Sequence, residues 1–149
     1  MPLDSAWLRA HLPHQGTMCL LDRIDTWNAQ GIRCTAVSHR APQNPLRAHG
    51  RLGAVCGIEY AVQAMAAHGA LLAAPAAPPR AGYLTSVREV ELHVARLDDI
   101  DAELIVAAEL LCGNDNTVLY EFNVSTLGNL LLSGRVTVVL DAARPRTQT

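Results

Sequence analysis

Residues 52–73 have the sequence LGAVCGIEYAVQAMAAHGALLA, and this stretch decides the fold. Its apolar residues recur at the three- and four-residue spacing of a helix, and small residues fill most of the other positions. A helix that is apolar nearly all round is a buried helix rather than a surface one. At about 1.5 Å per residue it would be roughly 33 Å long, the length of a whole domain. The stretch therefore predicts one long central helix, which the three prolines within residues 74–80 terminate.

The segments on both sides of this helix favour a β-sheet. A short helix capped by Asp4 or Ser5 and stopped by Pro13 comes first. Strands are predicted at 18–27, 32–37, 83–94, 100–111, 118–126 and 130–140, with turns at 29–31, 98–99, 113–116 and 127–129. The order β-β-α-β-β-β-β predicts an α+β hotdog fold, in which a curled antiparallel sheet wraps a central helix. We expect a single domain over residues 1–149, with its core at about 12–140 and a frayed tail from residue 141.

Composition and charge narrow the class of protein. Of the 149 residues, 50% are hydrophobic and 17% charged, which provides for a sizeable core and argues against disorder. The net charge of −2 gives no basic field for nucleic acid. No signal peptide is recognisable, and the longest apolar run is shorter than the roughly 18 residues of a membrane span. The four cysteines include no C-x-x-C motif, so we expect reduced, mostly buried thiols in a cytoplasmic protein.

Polar residues inside the predicted helix need an explanation, and Glu59 most of all. It lies nearly two turns inside the helix, too deep for a capping residue. Burying a glutamate without a partner is costly unless its carboxyl is neutral, and a neutral carboxyl can protonate a leaving hydroxyl in a dehydration. Alternatively, Glu59 is structural and bonds to Gln63, on the same helix face, or to a sheet carbonyl. Further along, His68 is expected to be a satisfied core or interface residue.

Several motifs resemble those of hotdog-fold 3-hydroxyacyl-(acyl-carrier-protein) dehydratases, and of their aryl-polyene-pathway branch in particular. They are LPH at 12–14, MCLLDRI at 18–24, GIEYAVQAMAA at 57–67, GYL at 82–84, VREV at 87–90, LHVARL at 92–97 and LSGRV at 132–136. The resemblance extends over about residues 12–140, and the segment around Glu59 is its most specific part. It implies that Glu59 is the catalytic carboxylate and that Gln63, one turn later, lies at the substrate.

The general base is where this sequence departs from the family. The family removes the α-proton with the histidine of a Gly-His-Phe-Pro-Gly segment, but this chain has NPLR at 44–47 in the corresponding place. The nearest histidine is His49, ten residues before Glu59, and we predict it as the base; alternatively, it faces solvent in a loop. His14, in the LPH motif, is expected to pack and hydrogen-bond. Its spacing from His11 is poor for zinc, so no metal site is expected.

Residues around the helix start predict contacts with a substrate. The resemblance implies that the backbone N–H of Gly53 or Ala54 polarises the thioester carbonyl, near the positive end of the helix dipole; the position also suits a small residue for structural reasons alone. Four loop arginines flank the helix, at positions 40, 47, 51 and 80. Arg47 and Arg51 are predicted to hold the phosphate of a phosphopantetheine arm, although isolated loop arginines are also commonly just solvated.

Two functions of different class, and a third on the same fold, follow from these observations. The first is a dehydratase that converts a 3-hydroxyacyl thioester on an acyl carrier protein into a trans-2-enoyl thioester, without a cofactor of its own, in fatty acid or polyene biosynthesis. The second is a catalytically silent hotdog subunit that pairs with an active dehydratase, which the missing histidine segment favours. The third is an acyl thioesterase. In each case we expect a homodimer or heterodimer, because an unpaired edge strand is an aggregation hazard.

Overall fold

The computed structural model describes residues 2–14, 16–73, 82–114 and 116–140. These described residues contain two α-helices and six strands: α1 (Ser5–His11), β1 (Arg23–Trp27), β2 (Gly31–Ala36), α2 (Gly57–Leu72), β3 (Gly82–Leu92), β4 (Leu104–Gly113), β5 (Thr117–Thr126) and β6 (Asn129–Leu140). This is the predicted order, and the α+β hotdog fold is confirmed. The proline-rich segment 74–80 and the tail from residue 141, both singled out in the sequence, lie outside the described residues.

The six strands form one antiparallel sheet in the order β1-β2-β4-β5-β6-β3. Strands β4, β5 and β6 follow one another through short turns, and Leu127 and Gly128 both have positive φ in the last of them, as in a type I′ turn. Strand β3 instead pairs with β6 at one edge. The acidic turn at 98–99 consequently lies in a long connection, residues 93–103, that carries the chain from this edge to the interior of the sheet.

Helix α2 packs mainly against β2, β4 and β5, and this contact forms the core. Tyr60, Ala61 and Ala64 on α2 are fully buried there. The predicted helix start at residue 52 was wrong: a single 3-10 turn covers Ala54–Cys56, and the α-helix begins at Gly57. The reason is tertiary, because Leu52 exchanges backbone and side-chain hydrogen bonds with residues 97 and 98 and is held outside the helix.

Two further expectations from the sequence need correction. The first was that no apolar run is long enough for a membrane span. The continuous helical segment Ala54–Leu72 is long and apolar enough, by length and composition, to cross a membrane, although a core helix packed on a sheet passes the same test. The cysteines are less buried than expected, since only Cys34 is buried and Cys112 is exposed. All four are free thiols.

Candidate active site

The first turn of α2 places Glu59 at the rim of the core. Because the α-helix begins only at Gly57, Glu59 is its third residue rather than a residue nearly two turns inside, so the sequence-based depth was wrong. Its side chain is 33% exposed, which is open enough for a ligand to reach the carboxyl. A carboxylate in the first turn also interacts favourably with the positive end of the helix dipole. Glu59 therefore lies at the surface of the core, with one side open.

His14 is the residue that contacts Glu59. Its Nε2 lies 3.3 Å from Oε1 of Glu59, and its side chain is 20% exposed. The other ring nitrogen, Nδ1, is buried and has no hydrogen-bond partner among the described residues. His14 follows α1, whose C-cap Leu12 is buried in the core, so the ring is delivered to the helix from a segment that is itself anchored. His14 thus lies against the candidate catalytic carboxylate in an electrostatic contact, while the hydrogen-bonding role expected for it stays a prediction.

Gln63 anchors the chain segment that follows His14. Its side-chain carbonyl accepts the N–H of Leu20 at 2.9 Å, and its amide donates to the carbonyl of Met18 at 2.6 Å. The residue is fully buried. Both polar ends of Gln63 are occupied by backbone groups, so the predicted bond to Glu59 is not formed. The structure gives Gln63 this anchoring role, and its predicted contact with substrate stays a prediction.

A second buried polar network joins the loop after β2 to α2. The Ser38 hydroxyl donates to the carbonyl of Leu20 at 2.8 Å, so the Tyr60 hydroxyl, 2.8 Å away, donates to Ser38. The amide of Asn44 in turn donates to the Tyr60 oxygen at 3.0 Å. Burial raises the pKa of Tyr60. Sequence reasoning missed this network, which fixes both the loop and the segment around Leu20 against the helix.

The backbone at the start of α2 offers one of the two predicted donors. The N–H of Ala54 donates to the carbonyl of Ala95 at 3.0 Å and is therefore already engaged, so Gly53 is the better placed of the two donors. Gly53 forms an isolated antiparallel bridge with Arg96, and the flanking hydrogen bonds make it a non-hydrogen-bonded pair. The N–H of Gly53 therefore points away from Arg96. A Cβ added at Gly53 would meet nothing within 4 Å, so a small residue is not required there for packing.

Asp98 holds this helix start in place. Its Oδ1 accepts the N–H of Leu52 at 2.8 Å and the Nε–H of Arg96 at 3.0 Å. The hydrogen bond from Arg96, with that from Leu52, keeps the pKa of Asp98 far below its ordinary value. The acidic turn recognised in the sequence thus supplies a fixed carboxylate that pins the entry to α2.

His49, the predicted base, lies on an exposed two-residue turn. Ala48 and Arg51 exchange backbone hydrogen bonds across this turn, and His49 and Gly50 both have positive φ, 54° and 77°. His49 is exposed, and no hydrogen bond or ion pair joins it to Glu59 in the described part of the chain. Of the candidate residues, the structure brings His14, rather than His49, to the carboxylate.

The predicted arginines differ in what holds them. The guanidinium of Arg47 donates to the carbonyl of Gly50 at 2.9 Å and so braces the same turn. Arg40 forms an ion pair with Asp101. Arg51 is exposed and forms no salt bridge within the described residues, while Arg80 lies outside them. Arg51 is accordingly the arginine most available to an anionic partner.

Comparison with known proteins places this geometry in context. The sequence matches the family model described as ApeP dehydratase, of the ApeP-like family, over residues 7–147. No curated protein sequence gives a significant match. A chain of the dehydratase heterocomplex ApeI:P from Xenorhabdus doucetiae is similar, with 22% identity, 91% of each chain covered and a TM-score of 0.77.

Hotdog thioesterases are also similar in structure. A thioesterase family protein from Silicibacter pomeroyi has 15% identity and a TM-score of 0.65, with 89% of this chain and 94% of that chain covered. A thioesterase from Haemophilus influenzae has 13% identity and a TM-score of 0.61, with 94% and 86% covered. At such identities the structural likenesses show the shared fold alone, and the family match carries the rest.

Proposed function

The chain belongs to the ApeP-like dehydratase family, and from this membership we propose that it serves in removing water from a 3-hydroxyacyl group held as a thioester on an acyl carrier protein. The observation that supports this best is Glu59, one third exposed at the start of α2 and held by His14. A carboxyl so placed is reachable by a substrate yet fixed in direction.

In the proposed reaction, a base removes the α-proton, the bond between the β-carbon and the hydroxyl oxygen breaks, and Glu59 gives a proton to the departing hydroxyl. The products are water and a trans-2-enoyl thioester. The N–H of Gly53 is our candidate for holding the thioester carbonyl as negative charge develops on it. A thioester acidifies its own α-proton, so the chemistry calls for no metal and no redox cofactor beyond the phosphopantetheine arm that carries the acyl group.

The base divides the proposal into two forms. In the first form, His49 swings from its exposed turn toward the substrate and the chain is active alone. In the second form, the base comes from another hotdog subunit and this chain contributes the carboxylate. The second form has a precedent, since the similar structure from Xenorhabdus doucetiae is a dehydratase heterocomplex. We favour it, because within the described part of the chain no hydrogen bond or ion pair joins His49 to Glu59 or to the helix start.

Two partly uncovered apolar surfaces support a subunit partner. Leu84, Val87 and Leu92 of edge strand β3 pair with buried β6 residues and so lie on the helix-facing side of the sheet. Leu84 and Leu92 are nevertheless 48% exposed. At the start of α2, Ile58 and the preceding Val55 leave a similar apolar strip beside Glu59. An edge strand with such side chains is a site for pairing with a second sheet.

The acyl carrier protein is the proposed second partner. Carrier proteins are acidic, and Arg51 stands exposed next to the helix start, where it can attract an acidic surface or a phosphate. Arg47 keeps its turn in shape and contributes only through that turn. Replacing Arg51 with Ala should raise KM for a carrier-bound substrate at low salt and leave KM for a small pantetheine thioester unchanged.

The deciding experiment measures enoyl formation from a 3-hydroxyacyl-pantetheine thioester. The chain is assayed alone and with a hotdog dehydratase subunit that has its own Gly-His-Phe-Pro-Gly segment, each with Glu59→Gln and His49→Ala. Loss of turnover in Glu59→Gln supports the role of Glu59, since Gln keeps the shape but supplies no proton. A loss of about 10²–10⁴ in His49→Ala supports the first form, and turnover that needs the companion and ignores His49 supports the second. Release of free thiol without enoyl would replace the proposal with thioester hydrolysis.

A further inference from the structure

The contact between His14 and Glu59 supports more than a packing role for this histidine. The two residues come from separate parts of the chain, one after α1 and the other in the first turn of α2. Their side chains are 20% and 33% exposed, so the pair lies where the core meets the surface. Packing of His14 alone would not require a carboxylate beside it, and solubility alone would not require a histidine beside Glu59.

The partners of the two ring nitrogens indicate which nitrogen of His14 carries the hydrogen. Nδ1 of His14 is buried and has no partner within the described part of the chain, and a buried lone pair without a donor is tolerated more often than a buried N–H without an acceptor. This favours the tautomer with its hydrogen on Nε2, the nitrogen that lies 3.3 Å from Oε1 of Glu59 in an electrostatic contact rather than a well-aligned hydrogen bond. The contact engages Oε1 and leaves Oε2 as the oxygen available to a ligand.

The backbone on either side keeps the ring in place. On one side, Leu12 is buried and its N–H donates to the carbonyl of Leu8 at 2.9 Å. On the other side, Gln63 clamps Met18 and Leu20 to α2. Gln63 lies one turn after Glu59, so the same helix holds both the carboxylate and the segment that delivers its partner.

We propose that His14 is the positioning residue of Glu59: its Nε2–H fixes one carboxyl oxygen so that the other points at the leaving hydroxyl. This rests on the proposed function. Positioning of this kind affects kcat more than KM, and a misplacement of about 1 Å costs on the order of 10²-fold in rate. His14→Leu should therefore lower kcat by about 10- to 100-fold with KM little changed.

The conservative variant separates positioning from structure. In His14→Gln the side-chain amide can still donate to Glu59, so most of kcat should return, whereas His14→Leu supplies no donor. His11→Leu is the matched control. His11 is an exposed histidine of the same segment and is bonded to the carbonyl of Trp7, whereas Glu59 is contacted by His14. Denaturant midpoints of all three variants show whether any loss comes from unfolding.

The readouts distinguish failure of this inference from failure of the proposed function. With dehydration established, wild-type kcat in folded His14→Leu would overturn the positioning role. Without turnover in any assembly, nitrogen NMR of the histidine rings still tests the contact, since Glu59→Leu should shift the Nε2 resonance of His14 and leave those of His11 in place. An unchanged His14 resonance would overturn the contact itself.

Discussion

Two histidines lie near opposite ends of α2, and their contacts differ: His14 packs against its first turn, and His68 belongs to its last part. At the start of the helix, His14 is partly exposed and contacts Glu59 with one nitrogen, while the other has no partner among the residues that the structure describes. Near its end, His68 is fully buried and uses both nitrogens. Its Nε2 lies 2.7 Å from the carbonyl of Asn28, and its Nδ1 lies 2.7 Å from the hydroxyl of Tyr120.

The difference separates a structural histidine from one at a site. A carbonyl only accepts, so Nε2 of His68 carries the hydrogen and the Tyr120 hydroxyl donates to Nδ1. Every polar atom in this cluster then has its partner, which is how buried polar groups in a core are normally arranged. The cluster at Glu59 is instead partly open to solvent, which is what the proposed reaction requires of it. The core role expected for His68 is confirmed by its burial.

At the start of α2, removing the N–H of Gly53 should have a large effect on the rate. Gly53 has φ −66°, which proline adopts without strain, and its N–H makes no bond in the bridge with Arg96. Gly53→Pro should lower the dehydration rate by about 10²–10³, the cost of one lost oxyanion donor, without loss of stability. Gly53→Ala keeps the N–H and is the control, expected to retain full activity. Equal activity of the two variants would exclude this N–H from the mechanism.

At the His68 end of α2, the expected effect is on stability rather than on rate. His68→Phe keeps a ring of similar size but leaves the buried Tyr120 hydroxyl without its acceptor and removes the donor to the carbonyl of Asn28, an exposed residue. An unsatisfied buried group costs about 1–3 kcal/mol and a lost hydrogen bond about 1 kcal/mol, so the free energy of unfolding should fall by about 2–4 kcal/mol, measured by denaturant titration. The dehydration rate below the unfolding transition should stay at the wild-type value; a parallel loss of rate would mean that the two ends of α2 are coupled.

Acid should lower the free energy of unfolding through the buried histidines, His68 among them. Burial lowers the pKa of His68 below its ordinary value of 6.5, opposed by its bond to the Asn28 carbonyl, and burial also lowers the pKa of His39. The unfolded chain therefore binds more protons in this range, and the free energy of unfolding falls as pH drops below about 6.5. Each histidine contributes at most about 1.4 kcal/mol per pH unit. Denaturant titrations from pH 8 to about 5 should show a shallower slope for His68→Phe; an unchanged slope would assign the effect elsewhere.

The sequence predicts those parts of the fold that depend on local pattern. The apolar run at 52–73 indicated a central helix, and alternating runs indicated six strands, because helical and strand periodicities are visible within a few neighbouring residues. The helix start was misplaced, since Leu52 is held in place by bonds to Leu97 and Asp98, which are more than forty residues away. The position of β3 beside β6 likewise depends on pairing that no local pattern records.

The site was predictable only in part, for the same reason. Glu59 stood out because a charged residue in an apolar helix is conspicuous without any knowledge of the fold. Its partner His14 lies 45 residues earlier, and its place in the LPH motif gave no indication of where the ring would point. His49 was selected for its closeness in sequence, whereas the contact to the carboxylate is made through tertiary structure.

The smallest effect is expected for the stability of Glu59→Gln, and it is informative because it is small. Glu59 is one third exposed, so the substitution buries no new polar group, and the amide of Gln can take the place of the carboxyl beside Nε2 of His14. What changes is the interaction of this side chain with the helix N-terminus, worth about 0.3–1 kcal/mol at most. The free energy of unfolding should therefore change by no more than about 0.5–1 kcal/mol, against the several kcal/mol expected for His68→Phe. A large destabilisation by Glu59→Gln would mean that its pairing with His14 holds the start of α2 together, and the two ends of the helix would then differ in chemistry but not in structural importance.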